Sequence, residues 1–511
     1  MPIKRRTFLA AGAAMTALSP RRRASAAALP APTDLCFADA HELTRLIAAR
    51  KLSARELMQA HLKRIAAVNG KVNALVAKVP DEECLKLAEA FDARQARGDR
   101  PFALGGLPWA FKDLEEAVGF PCTYGSPAFR DHRPNFDTLL VERIRAAGVV
   151  PIAKTNVPEF GMGSHTYNKV YGATHNPYDL RRSAGGSSGG AGAALATGML
   201  ALADGSDLGG SLRNPGNFNN VVGFRPSVGL VPDAPQAMPF AGFAVKGPMG
   251  RSVTDVALML SVIAGVDARS PITEPSDPAS FRTPLAREVK GLRVAWAPDL
   301  GGLPLQPEVR AVLDAQRAVF EKLGWKVEEV VPDFSGAEDV FLTLRRWRSY
   351  EGLKDLLKAH RDLLKPEAVG EIEAGSRVSA DDLARAHVEH GKLLERMRVF
   401  HQRFDLIACA VNQVAPFEVE LDWPKAIDGT PMTHYLEWMK SAWLITATWQ
   451  PAVSLPAGFT PGGLPVGIQL VAPRRADRRL LEAAFAFEQA TQVAKRRPGI
   501  EYLHIHVTNG P

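Results

Sequence analysis

The chain has 511 residues, 46% of them apolar and 23% charged, the proportions of an ordinary globular protein. Its formal charge is +7, but Lys4, Arg5, Arg6, Arg21, Arg22 and Arg23 precede the first acid, Asp34, and supply six of the seven, so the remainder carries +1. That near-neutral remainder excludes an electrostatic footprint for nucleic acid or for an anionic membrane surface.

The six basic residues belong to an N-terminal pattern. KRRTFL (4–9) is a twin arginine followed by an apolar pair, an Ala-rich stretch runs to Leu18, and Ala24-Ser25-Ala26 suits a cleavage site. We read residues 1–26 as a twin-arginine-type signal peptide that sends the folded protein to the periplasm, against the alternative of a disordered basic tail. The stretch is shorter than the roughly 20 residues needed to cross a bilayer, and no later segment is apolar and long enough, so no stable membrane insertion is expected after signal removal. Residues 27–511 read as a single mature domain. Cys36, Cys84, Cys122 and Cys409 contain no C-x-x-C spacing, which speaks against a zinc knuckle and for buried thiols.

After a Pro/Ala linker at 27–33, two helices are expected over 38–68. Ser53-Ala54-Arg55-Glu56 forms a capping box for the second, which turns Leu57, Leu62 and Ile65 toward a core. A helix follows over 81–97. LPWAF (107–111) reads as a strand ending on Lys112. A further helix over 137–148 stops at Gly148 and runs into the apolar strand VVPIA (149–153). AGAALATGMLALA (191–203) is expected to be a buried helix beginning near Gly190. At 307–324, Val309, Val312, Leu313, Val319, Phe320 and Leu323 share one face between Pro307 and Gly324. LRVAWA before it and WKVEEVV after it complete a βαβ unit. Residues 336–404 are charged and helical in pattern; strands return at 451–459 and 464–471, and a helix closes the series at 476–492. Helices and strands alternating throughout indicate an α/β fold.

Two glycine-dense segments carry the chemistry. GGSSGG (185–190) holds Ser187, and GSDLGGSLR (205–213) holds Ser211, 24 residues on; Lys112 stands 75 residues before Ser187. Serine is a poor nucleophile until a base takes its proton. A lysine becomes such a base when burial lowers its pKa. The backbone N–H groups of Leu208, Gly209, Gly210 and Ser211 are placed to converge on one oxyanion. Asp207 and Arg213 bracket that loop and can brace it by a charge-assisted bond. The bland alternatives are a Gly/Ser linker, a solvated lysine and a surface turn.

These segments resemble the amidase signature family, the serine hydrolases with a Ser-cisSer-Lys triad. The likeness covers nearly all of the mature chain: LSARELMQAHLKRIAAVN (52–69), GGLPWAFKD (105–113), KTNVPEFG (154–161), NPYDLRRSAGGSSGG (176–190), GSDLGGSLRNP (205–215), GPMGRSVTD (247–255) and PAVSLPAGFTPGGLPVGIQLVAP (451–473). The resemblance implies one large mixed β-sheet core surrounded by helices. It implies Ser211 as nucleophile, Ser187 as the bridging serine after a cis Gly186–Ser187 peptide, Lys112 as general base, and no cofactor or metal. Ala184, Leu208, Leu230 and the segment ACAVNQVAP (408–416) depart from the family pattern. The last three fall where substrate pockets are built, and so bear on specificity.

The implied reaction is hydrolysis of a small-molecule carboxamide. Rival readings are a periplasmic solute-binding receptor without catalysis and an amidotransferase A-like transamidation subunit. GGSSG also fits the nucleophile elbow G-x-S-x-G, but polar, proline-broken HNPYDLRRSA precedes it where a buried strand is required. His387-Val388-Glu389-His390 places two imidazoles on one helical face, within a charged helix whose ordinary reading is a solvated surface. The pocket is expected to draw on 122–130, 162–172, 235–245 and 410–445. Trp423, Tyr435, Trp438 and Trp443 read equally as pocket wall or core.

Overall fold

The computed structural model describes residues 34–99 and 102–502, which form one compact unit beginning at Asp34. The signal expected at 1–26 lies outside the described residues.

The central feature is an eight-stranded mixed sheet. In spatial order its strands are Lys326–Glu329, Arg293–Trp296, Leu406–Ala410, Pro465–Val471, Ala452–Phe459, Val222–Arg225, Val245–Gly250 and Leu202–Asp207. The first three run parallel to one another; every later pairing is antiparallel. The parallel pair Arg293–Trp296 and Lys326–Glu329 is joined by the helix Pro307–Lys322, as the 307–324 periodicity requires. Val309, Leu313 and Phe320 of that helix are buried, and Val312, Val319 and Leu323 pack against the same core.

A separate three-stranded sheet orders Leu75–Val76, Val150–Thr155 and Pro108–Lys112. Its two longer strands are parallel, with Lys112 opposite Thr155. The capping box at Ser53 opens the helix Ala54–Val72: Glu56 N–H donates to Ser53 Oγ, and Ser53 N–H donates to Glu56 Oε2. The helices Asp81–Ala96 and Leu139–Ala146 fall where the sequence places them. The charged stretch forms three helices, Ala337–His360, Pro366–Gly375 and Ala380–Phe400.

One expected element differs. Residues 191–203 are not a single helix. The helix is Gly189–Ala196, and Leu202 already begins an edge strand. Gly198 at φ +73° makes the turn: its N–H donates to Leu195 O, and Met199 N–H donates to Ala194 O, the paired bonds of a Schellman stop. Apolarity on all sides disguised the boundary, because a buried helix and a buried strand both read as continuous apolar sequence.

The four cysteines are buried free thiols. Among the described residues, no helix is long and apolar enough to cross a membrane.

Candidate active site

Lys112 ends a strand whose five residues are all buried, and its own side chain has no exposed surface. The side-chain nitrogen lies 2.8 Å from Ser187 Oγ, 2.8 Å from Ser188 Oγ and 3.0 Å from Ser206 Oγ. Burial pulls its pKa down, and the positive charge of Lys246 pulls it further. Glu115, Asp204 and Asp207 oppose them, leaving it at about 7. An amine with that value is substantially uncharged at neutral pH, so its lone pair can accept a hydroxyl proton.

The segment carrying Ser187 and Ser188 is held on both sides. The Gly186–Ser187 peptide is cis. Ser164 Oγ–H donates to Gly186 O at 2.5 Å, and Asn214 Nδ2–H donates to Ser164 Oγ at 2.6 Å. Ser188 N–H donates to Ser211 O at 3.2 Å. These bonds tie the GGSSGG segment to the loop 205–213. Ser187 and Ser211 open onto one cavity of about 580 Å³, together with Ser206, Leu208 and Gly209.

Asp207 organises the second loop. Its carboxylate receives Gly210 N–H at 3.0 Å and Leu212 N–H at 3.2 Å. Arg213 reaches the same carboxylate with Nε at 3.0 Å and Nη2 at 2.9 Å, and Arg225 Nη1 lies 3.2 Å away. All three side chains are fully buried. Burial works against the carboxylate, but the two guanidinium groups outweigh it and hold Asp207 below the ordinary carboxylate range. Gly210 sits at φ +108°, where a side chain would be strained; an added Cβ would also lie 2.6 Å from Ala442 Cβ.

The expectation that four successive amides share one oxygen needs correction. The Gly210 N–H is spent on Asp207, and Gly210 is not on the cavity wall, whereas Leu208, Gly209 and Ser211 are. Gly186, Asp207 and Arg213 shape the two loops through the bonds described above.

Several further residues build the site; Ser188 and Ser206 lie within the two glycine-dense segments, and the others follow no motif. Ser188 and Ser206 complete the hydroxyl ring around Lys112. Asp204 receives Lys112 N–H at 3.0 Å and Trp109 Nε1–H at 2.9 Å. Lys246 lines the cavity and pairs with the buried Glu115. The helix Ala337–His360 contributes Arg345, Arg348, Ser349, Gly352 and Leu353 to the wall. The only signal for that face is helical spacing within a highly charged stretch.

The expected pocket segments contribute in part, through Tyr124, Met162, Gly163, 235–238, Ala244, Val245, Leu436 and Met439. Three of the four aromatics, Tyr435, Trp438 and Trp443, belong to the core. Trp438 stacks on Phe218 and Trp443 on Phe341; Tyr435 is buried, and Trp423 packs at the margin of the same cluster. The two histidines at 387 and 390 do not converge on a metal. His390 bonds Ala447 O at 2.9 Å, and Glu389 pairs with Arg396 and Lys392. The strand before GGSSGG, Asp179–Ser183, pairs with His175–Asn176, bridges Glu418 through Arg182, and stands outside the large sheet. A nucleophile elbow needs a strand of the main sheet in that position.

A mixed sheet wrapped by helices, with Ser187 and Ser211 on one cavity and the buried Lys112 bonded to Ser187, defines an α/β protein with a serine–lysine cluster at its cavity. The Amidase family profile matches residues 56–481, and the chain belongs to that family. It is similar to an acylamidase of Rhodococcus erythropolis, 34% identical over 471 residues covering 91% of this chain and 98% of the relative. It is equally similar to a glutamyl-tRNA(Gln) amidotransferase component of Moorella thermoacetica, 34% identical over 489 residues covering 91% and 99%. Among solved structures, a bacterial aryl acylamidase superposes with a TM-score of 0.83 at 27% identity, covering 90% of this chain and 99% of that one. A 6-aminohexanoate cyclic dimer hydrolase gives 0.82 at 26% identity, covering 91% and 99%. These relatives support an amide-hydrolysing enzyme.

Proposed function

We propose that the chain hydrolyses the C–N bond of a small-molecule carboxamide through an acyl-enzyme on Ser211. Uncharged Lys112 accepts the proton of Ser187, which in turn accepts the proton of Ser211. Ser211 Oγ attacks the carbonyl carbon. The developing oxyanion takes N–H bonds from Leu208, Gly209 and Ser211. As the C–N bond breaks, the proton returns through Ser187 to the leaving amine. Water then enters, loses its proton along the same route and releases the acid. Esters and carbamates suit the same acyl chemistry.

The observation that carries this reading is the 2.8 Å contact of a fully buried Lys112 with Ser187, at the edge of a cavity that Ser211 also lines. A fluorophosphonate tests it: the protein should be labelled at Ser211, and the Ser211→Ala protein should be neither labelled nor active. Retained anilide turnover in that variant would remove the proposal, and a receptor without catalysis would show no label in either protein.

Likeness to the amidotransferase component favours one rival, transfer of ammonia within a larger assembly. Steady hydrolysis of an anilide by the isolated chain decides for the hydrolase. The proposal includes export through residues 1–26, read from sequence. A mature N-terminus near Ala26 in the periplasmic fraction is its test.

A further inference from the structure

The charges on the cavity wall are neutralised, with one exception among the described residues. Glu116 accepts from Tyr124 Oη and lies 3.0 Å from His132 Nε2. Asp207 is paired with Arg213, Lys246 with Glu115, and Arg345 with Glu371 and Tyr435. Asp233 accepts from Gln236 at 2.5 Å and lies 3.8 Å from Lys246. Arg348 lines the same cavity and has neither a hydrogen bond nor an ion pair among the described residues. It is half-buried, and burial pulls its pKa down, with only the field of Asp233 opposing. A desolvated guanidinium with no hydrogen-bonded anion is an unfavourable resting arrangement.

The helix Ala337–His360 presents Arg345, Arg348, Ser349 and Gly352 to the cavity, spaced i, i+3, i+4 and i+7 on one face. Arg345 is immobilised by its partners, whereas Arg348 is free to engage a ligand. One turn further along, a Cβ added at Gly352 would meet nothing within 4 Å, so the wall beside Arg348 is open. The rest of the lining is largely apolar: Leu114, Phe136, Phe160, Met162, Leu436 and Met439. A planar five-donor fork at the side of an apolar chamber matches a carboxylate carried on an apolar substrate.

We infer that Arg348 is a specificity-determining residue that selects amides bearing a carboxylate away from the scissile bond. The inference rests on the amidase reading above. The substrate class is an N-aryl or N-alkyl amide with one free carboxylate, whose charge Arg348 neutralises while the amide lies at Ser211.

The test uses glutaranilic acid and its neutral terminal carboxamide, titrated calorimetrically into the Ser211→Ala protein. The acid should bind about tenfold more tightly, the return expected of one charge-assisted contact. Adding Arg348→Gln should bring the ratio close to one, and Arg348→Lys should keep part of it. The ratio should also narrow at high salt with Arg348 intact, a reading that needs no variant at that position. An acid no tighter than the carboxamide, or a preference that survives Arg348→Gln, overturns the inference. Turnover of either ligand by the Ser211→Ala protein would count against the nucleophile instead, leaving the ratio to judge Arg348 alone.

Discussion

Asp204 accepts the backbone N–H of Lys112 at 3.0 Å, and through this bond the edge strand of the eight-stranded sheet fixes the end of a strand in another sheet. Its second oxygen takes Trp109 Nε1–H at 2.9 Å. Asp204 is fully buried, and burial pushes its pKa up to about 6 against the pull of the Lys112 N–H. An Asn has one acceptor oxygen and would turn its NH₂ toward one of the two donors. Asp204→Asn should therefore lower stability by about 1–3 kcal/mol, the cost of one buried unsatisfied donor. Thermal unfolding midpoints check this; an unchanged midpoint would show that Asp204 does not hold the two sheets in register.

The pH dependence follows from Lys112. With a pKa of about 7, the amine is protonated below that value and cannot accept the Ser187 proton. The neutral fraction falls about tenfold for each pH unit below 7, while above 7 it approaches one and the rate levels. kcat/KM for an anilide should rise through pH 7 and then plateau. Lys112→Ala should abolish activity at neutral pH and recover part of it in alkaline solution, where hydroxide replaces the missing base. A wild-type profile flat down to pH 4 contradicts a neutral-amine base.

The parts of the molecule that were legible in sequence are those with local causes. Ser53 and Glu56 announce a helix start because the capping bonds span only three residues. Val309, Leu313 and Phe320 announce a buried face because helical spacing aligns them. Ser187, Ser211 and Lys112 stood out through glycine density and family likeness, and the chain brings the first two to one cavity and the first and third into contact. Asp204 and Lys246 give no signal, since each acts through a neighbour distant in sequence: Lys112 is 92 residues from Asp204, and Glu115 is 131 from Lys246. Arg348 gives none because it is one of several arginines in a charged helical stretch, and only the fold shows which of them line the cavity. The four aromatics were ambiguous for a related reason. A tryptophan beside a cavity and one behind its wall have the same local sequence.

Lys246 offers a test of how the base is tuned. Its charge is one of the two forces lowering the Lys112 pKa, and it also neutralises buried Glu115. Replacing it with Met removes a repulsive cation and exposes Lys112 to an unpaired carboxylate. Both changes favour the ammonium form, so the signs agree. In Lys246→Met the acid limb of the kcat/KM profile should move to higher pH, with activity lost at pH 7 and regained in more alkaline buffer. A purely structural contribution would scale the whole profile down without moving its inflection.

The buried cluster around Asp207 predicts an order of damage. Asp207→Asn would leave Arg213 and Arg225, both fully buried, facing each other without an anion. It would also weaken the acceptor for Gly210 N–H and Leu212 N–H, which set the loop. Breaking a buried pair from one side costs about 3–5 kcal/mol, and here two cations are stranded. Arg225→Met removes the less closely bound cation and leaves Asp207 with the two-point contact of Arg213. It forfeits the bonds from Arg225 to Asp207 O at 2.6 Å and Phe243 O at 2.9 Å, but turns a cluster of two cations and one anion into a neutral pair. Burial already pulls the Arg225 pKa down to about 10 despite Asp207, so its charge is held at a cost. Asp207→Asn should consequently lower the unfolding temperature and abolish activity, while Arg225→Met should be milder on both counts. Differential scanning calorimetry with an anilide assay decides the order; a milder Asp207→Asn would mean that the loop's shape does not depend on the carboxylate.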